Sequence, residues 1–274
     1  MKYLYHQIKK DNGENLRGVV NLPDDFDESK KYKTMIFFHG LSGDRNGSKW
    51  FRISNAKYLC KMGYAVIRFD FSGSGESDGD FYDMTLGREL EEARLIVDFA
   101  KSLSYVDKHQ ISWYGHSLGG VIASILAYKL KPKSLLLLAP ASDITKRDFM
   151  VKMSPELDNI IDESVDYRIE ENKKKLLDLI PIEDIDFGGV KIHKNFFVDL
   201  LSYDVYEKAK KYKGRVLIMR GSLDDLVDRP SNEKLAQSFE KAQYIEVEDT
   251  DHSFTKADAR DLVYEKMKEF LLAN

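Results

Sequence analysis

A single cysteine, Cys60, stands in this chain of 274 residues, so no disulfide closes within it. It falls among apolar residues of a predicted helix, with no glycine-rich turn or base beside it, and reads as a small packed hydrophobe rather than a catalytic thiol. Neither sign of charge dominates: 42 basic against 46 acidic residues leave a net −4. The basic runs, Lys173-Lys174-Lys175 and the stretch from Lys208 to Lys213, are short or interrupted, which argues against a nucleic-acid surface. No apolar run approaches membrane-spanning length, and Met1 to Gln7 lacks the apolar core of a signal peptide. A cytoplasmic protein without a membrane partner is expected. His6, His109 and His193 have no companions at metal-ligand spacing, so no metal is expected.

What the chain does contain is a soluble globular composition, 43% hydrophobic and 32% charged, at a length that can bury a large core unaided. Short apolar runs recur from residue 34 onward: Thr34–His39, Tyr64–Phe69, Ile111–Tyr114, Ser134–Ala139, Arg215–Arg220 and Tyr244–Val247. Between them lie helical patterns, as in Leu86, Leu90, Ala93, Val97 and Ala100, or Val263, Met267, Phe270 and Leu271. Near-continuous apolar strands alternating with helices predict an α/β fold, a mostly parallel doubly wound sheet covered on both faces. Lys2–Ile8 and Leu16–Leu22, separated by the turn Asp11-Asn12-Gly13, predict an antiparallel hairpin at its edge. The rhythm breaks over 141–200, too long for a connection and too apolar for disorder. An inserted lid subdomain is expected there, on a core of 1–140 and 201–274. No internal repeat or low-complexity linker divides the chain.

The most informative segment is Gly115-His116-Ser117-Leu118-Gly119, between the apolar run Ile111–Tyr114 and a helical stretch from Val121. Strand, Gly-x-Ser-x-Gly, helix is the context of a nucleophile elbow, where small residues let the chain turn sharply and lift the serine hydroxyl clear of the sheet. Ser117 could also serve simply as a helix cap. A serine needs a base, and the base an orienting acid, both supplied by loops after later strands. Gly221-Ser222-Leu223-Asp224-Asp225 follows one such strand, and Asp251-His252-Ser253-Phe254 follows the last. Singly, these are turn acids and a loop histidine; together they give the order Ser117, Asp224, His252 expected of a triad.

His39 ends the first buried strand before Gly40-Leu41-Ser42-Gly43, a turn that would aim a backbone N–H at a substrate oxygen. The N–H groups of Leu41 and Leu118 are therefore the expected oxyanion hole. His116 is expected to pack beside the nucleophile. Asp70-Phe71-Ser72-Gly73-Ser74-Gly75-Glu76-Ser77 misses both phosphate-binding glycine patterns and reads as a tight loop bordering the site.

Taken together, His39-Gly40-x-x-Gly43, Asp70-x-x-Gly73-x-Gly75-x-Ser77, Gly115-His116-Ser117-x-Gly119-Gly120, Gly221-x-x-Asp224-x-x-Val227 and Asp251-His252-Ser253-Phe254 resemble the α/β-hydrolase superfamily. More narrowly, the chain resembles bacterial feruloyl (cinnamoyl) esterases and the related serine aminopeptidase-like and monoglyceride-lipase-like hydrolases, from about Thr34 onward. The resemblance places the triad acid at Asp224, with Asp225 in reserve, and implies a cofactor-independent serine carboxylesterase for hydroxycinnamate or similar small aromatic esters. A monoacylglycerol lipase, thioesterase or aminopeptidase with the same machinery, or a non-hydrolytic binding module on the same fold, is the alternative. The resemblance also implies that Phe187-Gly188-Gly189-Val190 is the later part of a lid over an aromatic acyl group. Asp148 then matches a phenol-contacting acid or is a solvated lid residue. His39, His116, Phe149 and Phe187 join it as candidate substrate contacts, although Phe149, Phe187 and Phe196 equally suit the packing of the subdomain. A homodimer is compatible with all of this.

Overall fold

The protein is described by a computed structural model over residues 1–187 and 189–273. Gly188, in the expected lid segment, lies outside the described residues. Among those residues eight strands form one sheet: β1 (Lys2–Lys9), β2 (Asn15–Leu22), β3 (Tyr32–Phe38), β4 (Ala65–Phe69), β5 (Val106–His116), β6 (Ser134–Leu138), then β9 (Arg215–Gly221) and β10 (Ala242–Val247). Their spatial order is β1-β2-β4-β3-β5-β6-β9-β10. From β4 to β10 all pairings are parallel, while β1–β2 and β2–β4 are antiparallel, so the predicted hairpin caps one edge. A small antiparallel pair, β7 (Asp184–Asp186) and β8 (Lys191–His193), stands apart.

Parallel strands need crossovers, and helices provide them: α1 (Phe51–Lys61), α2 (Leu86–Ser102), α3 (Leu118–Leu130), α8 (Arg229–Ser238) and α9 (Ala257–Leu272). Thr85 starts α2 by accepting the Arg88 N–H, and Leu86, Leu90, Ala93, Val97 and Ala100 make its buried face as the spacing predicts. Side-chain alternation along each strand divides the core in two. Met35, Phe37, Tyr114, Leu136 and Leu217 face α1 and α9, whereas Ile36, Phe38, Trp113, Leu135 and Val216 face α2 and α3. Cys60 is buried against the first set, and burial pushes its thiol up to about 12, as suits a packing residue.

The largest departure from the predicted strands is at β5. β5 begins at Val106 rather than Ile111, because its first residues, Asp107 to Gln110, are partly solvated and polar and so conceal the strand signal. The break after β6 holds short elements: α4 (Arg147–Met153), α5 (Glu170–Leu179), β7, β8 and α6 (Asn195–Leu200), followed by α7 (Val205–Ala209). Ile144, Met150, Leu176, Ile192, Phe196 and Phe197 join the same apolar cluster as the α2–α3 face of the sheet. The segment is thus anchored by extending the main core, and Phe196, fully buried, belongs to that packing.

Candidate active site

Every parallel strand points its carboxyl end at one edge of the sheet, where open α/β sheets bind ligands. Ser117 sits there, between β5 and α3, at φ 54° and ψ −121°. That left-handed backbone is uncommon for a residue with a side chain and persists only where surroundings enforce it. Ser117 N–H donates to Leu138 at 3.0 Å, and its carbonyl accepts from Gly120 at 2.9 Å and Ala141 at 3.2 Å. The flanking glycines are sterically required. A Cβ at Gly115 would stand 2.4 Å from the Gly119 carbonyl oxygen, and one at Gly119 would stand 2.1 Å from that of Phe38.

Two loops bring the other candidates alongside. Asp224 follows β9 and its side chain is fully buried. One carboxylate oxygen accepts the N–H groups of Leu226 and Val227, at 3.0 and 2.9 Å, and the other accepts His252 Nδ1–H at 2.8 Å. Asp225 is exposed and its carboxylate takes no part, so geometry separates the two neighbouring acids. With Nδ1 committed to Asp224, His252 carries its proton there and leaves Nε2 free to accept one. Ser117 and His252 line the same cavity of about 510 Å³, and among the described residues no hydrogen bond joins them directly. Such bonds commonly tighten only when substrate is bound.

Around this pair the sequence expectations divide. Leu118 opens α3, where an N–H has no intrahelical acceptor. Neither it nor the Leu41 N–H, from the loop after β3, has a backbone partner among the described residues. Both belong to the immediate surroundings of Ser117, and Leu41 lines the cavity. The His116 ring also lines it, but in a supporting position. Arg52 can only donate, so the contact from its Nη1 to His116 Nδ1 at 3.3 Å leaves the His116 proton on Nε2, which donates to the His252 carbonyl at 3.0 Å. Burial, helped by the nearby His252 and Arg52, holds His116 well below the ordinary histidine pKa and therefore neutral.

His39 is corrected outright as a substrate contact. It is 1% exposed, its Nε2 accepts Phe71 N–H at 3.0 Å, and its Nδ1–H donates to the Gly40 carbonyl at 2.9 Å. The ring fixes the turn that presents Leu41. Asp148 is corrected as well: its side chain is 97% exposed, sits near Arg147, and faces a neighbouring cleft rather than the cavity of Ser117. Phe149 and Phe187 do line that cavity, together with Ile144, Leu226 and Val227. The Asp70–Ser77 loop is tight, as expected, but its residues do not line the cavity; it holds the loop after β3. Buried Asp70 accepts the Arg45 N–H at 2.6 Å and pairs with the Arg45 guanidinium, which pins the loop after β3.

Sequence reasoning passed over Arg52, Asp44 and Lys152, all of which line the cavity. A signal existed for Arg52. It precedes Asn55, Ala56 and Leu59 by three, four and seven positions, so a cation occupies the buried face of α1.

The model of the alpha/beta hydrolase family matches residues 35–265. Among solved structures, Est1E from Butyrivibrio proteoclasticus with ferulic acid bound superposes with a TM-score of 0.80 over 98% of both chains, at 24% identity. At that identity the likeness is one of fold. Among curated proteins, the lysophosphatidylserine lipase ABHD12 of Xenopus tropicalis is 32% identical over 121 residues, 42% of this chain and 30% of its own length. The human mitochondrial palmitoyl-protein thioesterase ABHD10 is 36% identical over 112 residues, 40% of this chain and 34% of its own length. The chain thus matches about a third of the length of these curated relatives. Among the described residues no helix is long and apolar enough to cross a membrane.

Proposed function

The chain belongs to the alpha/beta hydrolase family, and on that premise we propose that it is a serine carboxylesterase with Ser117, His252 and Asp224 as its triad. Ser117 Oγ attacks the ester carbonyl carbon while His252 Nε2 takes its proton. The alcohol departs with that proton, and the acyl group remains on Ser117 until water, activated by the same histidine, releases the acid. Asp224 keeps His252 in the required tautomer and stabilises the imidazolium. The Leu41 and Leu118 N–H groups receive the negative charge on the former carbonyl oxygen, each worth about 2.7–4 kcal/mol of barrier.

The observation that carries this reading is the 2.8 Å bond from His252 to a buried, fully hydrogen-bonded Asp224, on a cavity shared with a serine held at positive φ. A hydroxycinnamate or similar small aromatic ester is the proposed substrate, with segment 141–200 as the lid. Two features support this: Phe149 and Phe187 give the cavity an aromatic wall, and a structure of the same fold holds ferulic acid. A cytoplasmic location belongs to the same proposal and is checked by cell fractionation.

The test compares wild type and Ser117→Ala on a short-chain nitrophenyl ester. Loss of turnover in the variant is expected, and equal rates would overturn the mechanism. A panel of methyl ferulate, a monoacylglycerol, an acyl-CoA and an aminoacyl nitroanilide then decides substrate class. Preference for the acyl-CoA or the monoacylglycerol would move the protein towards the activities named in its curated relatives.

A further inference from the structure

The lining of the cavity is of two chemical kinds. Ile144, Phe149, Phe187, Leu226 and Val227 are apolar, whereas the loop after β3 and Arg52 of α1 bring polar groups. Arg52 is 5% exposed. Its Nε donates to the Asp44 carbonyl at 2.8 Å and its Nη1 meets His116 Nδ1, while Nη2 has no hydrogen-bond partner among the described residues. Nη2 lies against the loop, 2.9 Å from where a Cβ at Gly43 would stand.

Buried guanidinium groups are ordinarily paired, since an isolated buried charge is costly. Arg45 and Arg220, equally buried here, hold Asp70 and Glu246. Buried Arg68, with no carboxylate at ion-pair distance among the described residues, gives its guanidinium to Asn21 Oδ1 and the Arg45 carbonyl, away from any cavity wall of Ser117. Arg52 has no carboxylate at ion-pair distance among the described residues. Asp44 borders the same cavity and its charge is felt by Arg52, but its bonded oxygen accepts the N–H groups of Asn46 and Gly47, at 2.6 and 2.8 Å, and it makes no ion pair with the guanidinium. An arginine does not shed its proton in a protein, so the charge stays. A second cation, Lys152 of α4, lines the cavity and reaches the Asp225 carbonyl at 3.0 Å.

We propose that the unpaired Arg52 guanidinium is an anion subsite, so that the preferred ester joins an apolar group, held between Phe149 and Phe187, to a part bearing a carboxylate or phosphate. The inference rests on the esterase reading above and narrows its substrate class. A planar guanidinium suits such an anion geometrically, and the buried setting strengthens the bond relative to water.

Matched esters test it, each pair differing only in a carboxylate against a carboxamide. One pair carries the group on the acyl side, as nitrophenyl hemiglutarate and its monoamide. The other carries it on the alcohol side, as the glycolate and glycolamide esters of phenylacetic acid. For wild type, kcat/KM is expected to favour the carboxylate by about tenfold or more in at least one pair, mainly through KM. Arg52→Met should abolish that preference and Arg52→Lys should retain part of it. If both pairs are hydrolysed through Ser117 with the amides equal to the acids, the subsite is refuted and the esterase reading survives. Should no ester turn over, calorimetry with hippurate and hippuramide still decides the subsite, because it needs no catalysis and no variant. Tighter binding of hippurate supports it, and equal or absent binding of the two overturns it.

Discussion

The two walls of the cavity are held by different forces. On the sheet side, Ser117, Asp224 and His252 are fixed by directed polar bonds: Asp224 accepts three hydrogen bonds, and the His252 carbonyl is tied to His116. On the side of segment 141–200, Ile144 packs into the main apolar cluster and Phe149 lies against its margin, contacts without direction. Directional bonds set angles, as proton transfer demands, whereas apolar packing tolerates exchange of side chains of similar volume. On the proposed reading, the chemical step belongs to the first wall, and the apolar part of the substrate is held by the second.

That contrast can be broken from either side. Replacing Asp224 by Asn keeps the shape but removes the charge that stabilises imidazolium and sets the tautomer, so kcat is expected to fall about 10⁴-fold, read by steady-state kinetics. A change on the second wall should be far milder and selective. Phe187→Ala is expected to raise KM for methyl ferulate about 5–20-fold while leaving kcat on a nitrophenyl acetate within about twofold. A comparable loss on both substrates would mean that Phe187 supports the fold rather than the substrate.

Acid unfolding probes the polar wall separately. His116 is held neutral by burial, so the unfolded chain binds its proton first. Stability is accordingly lost as pH falls below about 6.5, by up to about 1.4 kcal/mol per pH unit for such a group. Buried Glu89, whose carboxyl is raised by burial and by Glu92, acts in the opposite sense: its contribution weakens as pH rises from about 4.5 towards its folded pKa. The difference between wild type and His116→Gln, followed by urea unfolding from pH 7 to 5, isolates the histidine. Wild type should lose more stability on acidification than the variant. The smallest effect is expected for Asp148→Ala, whose side chain is solvated: kinetics on aromatic esters should stay within about twofold.

The triad side of the cavity was legible in the sequence, whereas the lid side was legible only at Phe149 and Phe187. Gly115, Ser117 and Gly119 announce a turn that few other residues could make, and Asp224 and His252 stand directly after apolar strands. Such signals are local. The facing of Asp148 and Phe149 depends on how the seven-residue α4 rolls against the core, and a helix that short has no clear periodicity. Of the two readings open for Asp148, the solvated one holds, and of the neighbouring candidates it is Phe149 that lines the cavity. His39 misled for a related reason: its position after β3 marks the correct loop, but its ring turns inward to Phe71. For Arg52, helical spacing with Asn55, Ala56 and Leu59 marked a buried cation, but only the folded loop after β3 shows that it lines the cavity.

The claim beneath all of this is that Ser117 is activated by the Asp224–His252 pair. Its most direct test is labelling with a fluorophosphonate, followed by mass spectrometry of the digested protein. Wild type should carry one phosphonyl adduct on the peptide containing Ser117, and His252→Ala should react at least about a hundredfold more slowly. An inert wild type, or an adduct formed equally fast without His252, would contradict it.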